Sequence, residues 1–396
     1  MEQTEFESLS AERLLGHVRV LCGEIGARPA TSRGERRAAE YVRGALEDAG
    51  LADIRDQFFT SPETIGWSFL PQAATGVIAP LLGGRLGKLA GGLALLLGAR
   101  AFRAALTLQP PPYQPLVAQG TSQNVIARIA PSGAVERRAF LVAHLDSGKE
   151  RLLAPLPARG LTRPLNTLVI ALTALAGLSM LADALRGKRG VGGLQQLTVA
   201  VSALGLAGIL FDEGRPHVEG ANDDASGVAV LLGIAQVLAA RPLAHTEVHL
   251  VFTGCEEAGA VGIESYLRQY APPAYNSAWI EVDMVGAGRL CYATKQGLSA
   301  FDEVRSTPRL TALAAQVARD RPSLGVSGRD LVLIDGLANV ARRGYECIAV
   351  SGADDEGFPP NWRRATDTVE RIAPDTLARA ARYVWALLGA LDAQAG

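Results

Sequence analysis

Four short polar segments follow apolar runs, and each carries side chains that can bind a metal ion or move a proton. Imidazole and carboxylate ligands without thiolates suit zinc, or less well cobalt or manganese. Because the strands of an α/β sheet end along one edge, side chains placed there come together in one site. The segments are "HLDSG" with His144 and Asp146, "GANDDASGVAVLL" with Asp223 and Asp224, "FTGCEEAGAVG" with Glu256 and Glu257, and "WIEVDMVG" with Asp283.

Each segment also has an ordinary structural interpretation. A His-x-Asp pattern is common among surface and core polar residues, and the aspartate pair at the start of a helix suits an N-cap. The glutamate pair could begin a solvated helix. Asp283 is different, because it stands in an apolar run where a carboxylate is costly to bury unless it is paired or binds a metal. The four segments together favour one shared metal site.

The residue types suggest how such a site would work. Asp146, two positions after His144, could orient the imidazole. In a pair of adjacent glutamates, one carboxylate can bind the ion while the other takes a proton from water. The sequence alone leaves open which glutamate does which.

Strands alternating with helices must position these residues. Apolar runs at 123–129, 139–145, 247–254 and 277–285 predict buried strands, and helical patterns lie at 9–50, 225–240, 307–320 and 373–394. This order predicts an α/β domain with a mostly parallel central sheet flanked by helices.

Two apolar insertions interrupt the alternation and divide the domain into 1–70, 108–150 and 215–396. The first insertion, 71–107, separates around Arg85 and Lys88 into halves of about a dozen residues, each short of the roughly 20 that a spanning helix needs. The second, 151–214, holds two stretches near that length. Segments of the α/β domain lie on both sides of each insertion. Both insertions are therefore expected to be helical hairpins that leave the domain and return to it.

The apolar stretches 76–99 and 164–211 predict either a membrane-embedded structure or an apolar lid or homo-oligomer interface. The tip of the second hairpin carries Arg186, Lys188 and Arg189. If the α/β domain is cytosolic, these charges would have to cross the bilayer, which argues against a hairpin that spans the membrane. They are compatible with shallow insertion among anionic headgroups.

Composition and the N-terminal sequence narrow the possible partners and the possible location of the protein. The 396 residues carry a net charge of -1 and no long basic run, which argues against nucleic acid as a binding partner. The four cysteines are widely separated, which is typical of reduced thiols. The N-terminal "MEQTEFESLSAERLL" does not resemble a signal peptide, so the cytoplasmic side, with membrane association through the hairpins, is the expected location.

The order and spacing of the four segments resemble the M28 family of zinc aminopeptidases and carboxypeptidases, to which the glutaminyl cyclases are related. The resemblance implies a zinc exopeptidase fold, a peptide substrate and two zinc ions around a shared water. By this resemblance His144 and Asp283 hold one ion, Glu257 holds the other, and Asp223 bridges them. Asp146 would orient His144, and Glu256 would be the general base.

One position departs from the family. The family pattern places its last ligand, a histidine, between an aromatic residue and an Asp-Thr pair, and "NWRRATDTVERI" has Arg363 there. No histidine follows residue 249, and a protonated guanidinium cannot bind a cation. Either one zinc remains on His144, Asp223 and Asp283 while Arg363 pairs with Glu257, or an acidic residue of "SGADDEG" replaces the histidine, or metal binding is poor. A shifted loop with Arg363 in solvent is the trivial alternative.

The function expected from these residues is that of a zinc-dependent exopeptidase, of the aminopeptidase type, with one or two zinc ions. A catalytically inactive peptide-binding or scaffold protein and a glutaminyl-cyclase-like enzyme are the alternatives.

Overall fold

A computed structural model describes residues 7–151 and 159–394; residues 152–158 of the second insertion lie outside the described residues. In this part of the chain, nine strands form one mixed sheet in the order β1-β2-β4-β3-β5-β9-β6-β7, with β8 also paired to β6. The strands are β1 (Ile54–Ser61), β2 (Gly120–Ile129), β3 (Arg137–His144), β4 (Thr246–Thr253), β5 (Ser277–Val282), β6 (Arg289–Gln296), β7 (Val304–Arg305), β8 (Ser327–Leu331) and β9 (Glu346–Ala353).

The helices cover the sheet and also build a separate group. Each pattern that predicted helical structure in the α/β part of the chain contains one or two of them. The helices are α1 (Ala11–Arg19), α2 (Arg33–Asp48), α3 (Gly66–Ile78), α4 (Gly84–Ala105), α5 (Thr162–Leu185), α6 (Gly193–Glu213), α7 (Ser226–Ala240), α8 (Val261–Tyr270), α9 (Pro308–Asp320), α10 (Leu337–Arg342) and α11 (Pro374–Ala393).

The four central strands β4, β3, β5 and β9 are parallel, as the sequence predicts, and the pairs that flank them are antiparallel. Strand β3 pairs with β4 on one side and with β5 on the other, so that His144 lies opposite Thr253. The carboxyl ends of these three strands therefore meet at one edge of the sheet, where the polar segments begin.

Two apolar cores hold the sheet in place. One face packs against α1, α2, α7, α9 and α11, and the other packs against α8 and α10. Helix α7 is apolar on all sides, and the 20-residue stretch Ala221–Ala240 is long and apolar enough to cross a membrane, but 83% of its most apolar window is buried. Its apolar character serves the core of the domain.

The two insertions pack against each other as one group of four helices. Helix α4 lies against α5, and α3 lies against α6. Gly92 and Gly177 allow the close approach of α4 and α5, because a Cβ atom at either position would lie 2.8 Å from the carbonyl oxygen of the other. This small-residue contact is typical of closely packed apolar helices. We call α3, α4, α5 and α6 the helical bundle.

The first insertion divides into two helices, but the division lies at 79–83, just before Arg85 and Lys88, and not at these two residues. Helix α4 begins at Gly84 and runs without a break for 22 residues. Lys88 is buried, with its Nζ atom 3.4 Å from Asp183 Oδ2 and 2.7 Å from the carbonyl oxygen of Gly190. The partners come from the other insertion, so the charge is accommodated inside the helical bundle.

Candidate metal centre and the arginine beside it

His144 is the last residue of β3, and the structure surrounds its buried ring with carboxylates. Its Nε2 atom is 3.1 Å from Asp223 Oδ1 and 3.8 Å from Asp283 Oδ1. Burial opposes charge on the ring, but hydrogen bonds to Asp146 and Asp223 raise the pKa of His144 well above its usual range. The centre of the cluster therefore favours positive charge.

His144, Asp223 and Asp283 form a pocket that fits one metal ion. Each offers one ligand atom, and these three atoms lie within 4.8 Å of one another. Asp223 Oδ2 and Asp283 Oδ1 are buried and have no hydrogen-bond partner among the described residues. Burial also raises the pKa of Asp283 well above its usual range. Unpaired buried carboxylates are costly, and one nitrogen with two oxygens is a ligand set suited to zinc.

Asp146 connects the histidine with the glutamate pair. Its backbone carbonyl oxygen lies 3.0 Å from His144 Nδ1, a hydrogen bond that leaves Nε2 available as a ligand. Its carboxylate accepts hydrogen bonds from the backbone N–H groups of Glu256, at 3.0 Å, and Glu257, at 2.9 Å. The sequence suggested only the contact with His144. The structure adds that Asp146 fixes the loop after β4.

Glu256 and Glu257 follow β4 but have different surroundings. Glu256 is partly buried, and its Oε2 atom has no hydrogen-bond partner among the described residues. Burial raises the pKa of Glu256 to about 8. Burial also raises the pKa of Glu257, to about 7, although the charge of Arg363 opposes this shift. Glu256 thus keeps a free oxygen, whereas Glu257 has a cationic partner.

Arg363 lies in the site and pairs with Glu257. Its Nη2 atom is 2.9 Å from Glu257 Oε2, and its guanidinium lies over the Trp362 ring at 5.0 Å from the ring centre. Burial opposes its charge, but Glu257 and Asp223 raise the pKa of Arg363 further above its usual range. The carboxylate that the family resemblance assigned to a second ion is therefore occupied by a guanidinium group.

The acidic loop 351–357 does not supply a replacement for the histidine. Asp354 Oδ1 accepts hydrogen bonds from the backbone N–H groups of Glu356 and Phe358, both at 3.0 Å. Asp355 is exposed and forms an ion pair with Arg289 at 2.5 Å. Glu356 is also exposed. These three side chains therefore stabilise their own loop or lie in solvent. Arg363 is only 17% exposed, so it does not point into solvent.

Two further carboxylates hold the site together. Asp224, read from the sequence as a helix cap, accepts the N–H of Gly227 at 2.9 Å, as a cap does, but also those of His144 and Met284, both at 3.2 Å. Asp367 accepts the N–H of Asn222 at 2.7 Å and that of Asp223 at 3.2 Å. Asp224 therefore connects the start of α7 with the segments that carry His144 and Met284. Its position before a helix did not indicate these additional contacts.

Two buried acidic residues near Glu256, namely Glu281 and Asp335, were not predicted from the sequence. Glu281, in β5, is buried, and its Oε2 atom has no hydrogen-bond partner among the described residues. Buried Asp335 accepts a hydrogen bond from Gln296 Nε2 at 2.9 Å. Burial, with Asp335 and Glu256 nearby, raises the pKa of Glu281 well above its usual range. A glutamate inside the apolar run "WIEV" was the available signal.

Comparisons with known proteins agree with this fold. Residues 203–388 match the model of peptidase family M28. The probable lipoprotein aminopeptidase LpqL of Mycobacterium tuberculosis is 26% identical, over 42% of this chain and 38% of LpqL, so the match spans less than half of that relative.

Solved structures share the fold at low sequence identity. A glutaminyl cyclase from Bacteroides thetaiotaomicron has a TM-score of 0.58 and 16% identity, covering 96% of this chain and 98% of that one. A leucine aminopeptidase precursor from the same organism has a TM-score of 0.57 and 16% identity, covering 96% and 97%. A zinc-dependent exopeptidase from Parabacteroides distasonis has a TM-score of 0.57 and 15% identity, covering 95% and 96%. The predicted zinc-exopeptidase fold is confirmed, and the chain is a relative of the M28 family of zinc peptidases.

Proposed function

We propose that this chain is a zinc-dependent hydrolase of terminal peptide bonds, of the exopeptidase type, and that it works with one metal ion. The observation that carries the proposal is the pocket formed by His144, Asp223 and Asp283, with Glu256 connected to His144 through Asp146. These three residues would hold zinc. Asp146 would position both the histidine and the glutamate loop, through the hydrogen bonds that it makes to each.

The chemistry can be assigned to the residues present. Zinc bound in the pocket supplies Lewis acidity toward water and toward the carbonyl of the scissile bond. Glu256, with a free oxygen and a raised pKa, takes a proton from the attacking water and gives it to the leaving nitrogen. A general base works best when its pKa lies near the working pH, so its burial suits this role.

Arg363 takes the place of the second ion's charge in this proposal. It provides a fixed positive charge next to Glu257 and close enough to Asp223 to help lower the pKa of that carboxyl group. A guanidinium is a hydrogen-bond donor rather than a Lewis acid. It can therefore bind the oxygens of a substrate but cannot activate a second water.

Metal analysis combined with peptide assays tests the proposal. We expect purified protein to hold one zinc per chain and to release the terminal residue or the terminal acyl group of peptides. A chelator should stop this release, and added zinc should restore it. Zinc-loaded protein that cleaves no amide bond would support the inactive scaffold, and conversion of N-terminal glutamine with loss of ammonia would support the cyclase. Protein that takes up no zinc would overturn the proposal.

We further propose that the helical bundle attaches the chain to a membrane. Helices α5 and α6 are long and apolar enough to span one, and only 28% and 11% of their apolar windows are buried. Large apolar side chains are exposed along the bundle, with Leu86 at 80% and Leu204 at 77%. The exposed basic residues between α5 and α6 suit anionic headgroups. The cytosolic location of the α/β domain stays a prediction.

Sedimentation tests the membrane attachment. We expect the chain to pellet with membranes after washing at alkaline pH and high salt, and to need detergent for release as single particles. Alkaline washing removes proteins held only by charge, so retention reports apolar contact. A chain that stays soluble and monodisperse without detergent would contradict the attachment and would favour the apolar lid or a homo-oligomer interface.

A further inference from the structure

A cavity of about 380 Å³ lies between the helical bundle and the loop that carries Trp362 and Arg363. Its volume is in the range of small-molecule sites, and its walls are mainly apolar. All four helices of the bundle contribute to it, and Arg363, which contacts Glu257, lines it as well. Arg363 therefore links the cavity, which lies in the most apolar part of the chain, with Glu257 of the candidate metal centre. Its lining includes Phe69, Phe102, Val169, Ile209, Trp362 and Arg363.

Two arginines line the end of the cavity near Glu257. Arg151 and Arg363 both line it, and the Nε–H group of each is buried without a hydrogen-bond partner among the described residues. Each arginine is also paired with a glutamate, Arg151 with Glu213 at 3.0 Å and Arg363 with Glu257 at 2.9 Å. This end can still donate hydrogen bonds to carbonyl or carboxylate oxygens.

A free α-ammonium group fits this end poorly. It would meet two guanidinium groups, Glu257 already has a cationic partner, and Asp212, the acidic residue in the lining, is also already engaged. An acylated nitrogen carries no charge, and its acyl chain is the kind of group that an apolar cavity accepts. The same side chains thus disfavour an ordinary amino terminus and favour an acylated one.

We propose, resting on the function proposed above, that the substrate is a long-chain N-acyl amino acid or N-acyl peptide whose hydrocarbon chain occupies the cavity. Water adds to the acyl carbonyl, and the bond between that carbon and the nitrogen breaks. Glu256 carries the proton from water to the nitrogen. The products are a fatty acid and an amino acid or peptide with a free amine, and no other reactant is needed.

Dependence on chain length tests the proposal. The full chain, in detergent-free phospholipid nanodiscs, is given N-acetyl-, N-octanoyl- and N-dodecanoyl-leucine below their micelle concentrations, together with an unacylated leucyl peptide. Burying one methylene is worth about fourfold in binding, so kcat/KM should rise by at least about tenfold from acetyl to dodecanoyl. Hydrolysis of the unacylated peptide without any rise along the acyl series would overturn the proposal and leave the proposed hydrolase function standing.

Filling the cavity provides a second test. Gly205, in α6, lines the cavity, and an added Cβ atom there would meet nothing within 4 Å. Gly205→Leu should remove the dependence on acyl length. Gly193→Leu is the matched control: it makes the same change in the same helix, also with open space, at an exposed position that does not line the cavity. The control should keep the wild-type dependence.

Binding without catalysis separates the two proposals. Calorimetric titration of zinc-depleted protein with N-dodecanoyl-leucine should show saturable binding that Gly205→Leu weakens at least about tenfold, since a leucine side chain would displace several methylenes. Equal binding by wild type and Gly205→Leu would overturn the cavity proposal. Binding that follows the expected pattern, with no hydrolysis after zinc is added, would support the cavity and refute the hydrolase function.

Discussion

Replacing Glu256 with glutamine should lower kcat for amide hydrolysis by roughly 10²- to 10⁴-fold, the usual contribution of a general base. The glutamine side chain keeps the size of glutamate but cannot accept the proton of water. Zinc should stay bound, because the proposed ligands His144, Asp223 and Asp283 are unchanged. Rates at saturating substrate, together with zinc measured by mass spectrometry, check both parts of this prediction.

Glu356→Gln is the control for this change. It converts a carboxylate into an amide at an exposed position of a neighbouring loop, and kcat should stay near the wild-type value. If Glu256→Gln kept wild-type kcat, the proton acceptor would have to be another residue. If it lost its zinc, Glu256 would be a ligand, and the roles of the two glutamates would be exchanged.

Replacing Arg363 with histidine should raise the zinc content from one ion per chain to two. The change frees the carboxylate of Glu257, adds a nitrogen with a lone pair, and leaves Asp223 Oδ2 available to be shared. The backbone at position 363 has φ of +54°, a conformation that histidine adopts more readily than most residues. Zinc titration of metal-free protein, followed by mass spectrometry, measures the stoichiometry.

Arg363→Gln separates the loss of the guanidinium from the gain of a ligand. Glutamine also frees Glu257 but brings no imidazole, so this variant should remain at one zinc. Two zinc ions in the wild type would contradict the assignment of Arg363 to the place of the second ion. One zinc in all three proteins would show that the missing histidine is not what limits metal binding.

The positions of the site residues could be predicted because they depend on local sequence and on one topological rule. His144 and Asp283 stand at the ends of apolar runs that were recognisable as strands, and parallel strands bring such ends together. The place of Arg363 was predictable because Trp362, Asp367 and Thr368 fix the register of the loop around it.

Other features depend on contacts between distant segments and were not predictable. Lys88 reads as a break in an apolar run, because the sequence does not show that Asp183, almost a hundred positions later, lies beside it. The contact between α4 and α5 joins two insertions that the sequence presents as separate hairpins. The cavity arises from that packing. The antiparallel flanks of the sheet likewise follow from which strands become neighbours, which periodicity does not specify.

The order of the strands has a consequence for the chain during its synthesis. Strand β3 carries His144, but both strands that pair with it begin at or after Thr246. Roughly 100 residues must be added after β3 before the first of these neighbours exists, about 5–20 s at ordinary ribosomal rates. The helices α5 and α6 emerge in that interval. The bundle can therefore reach a bilayer while the sheet that holds the metal centre is still incomplete.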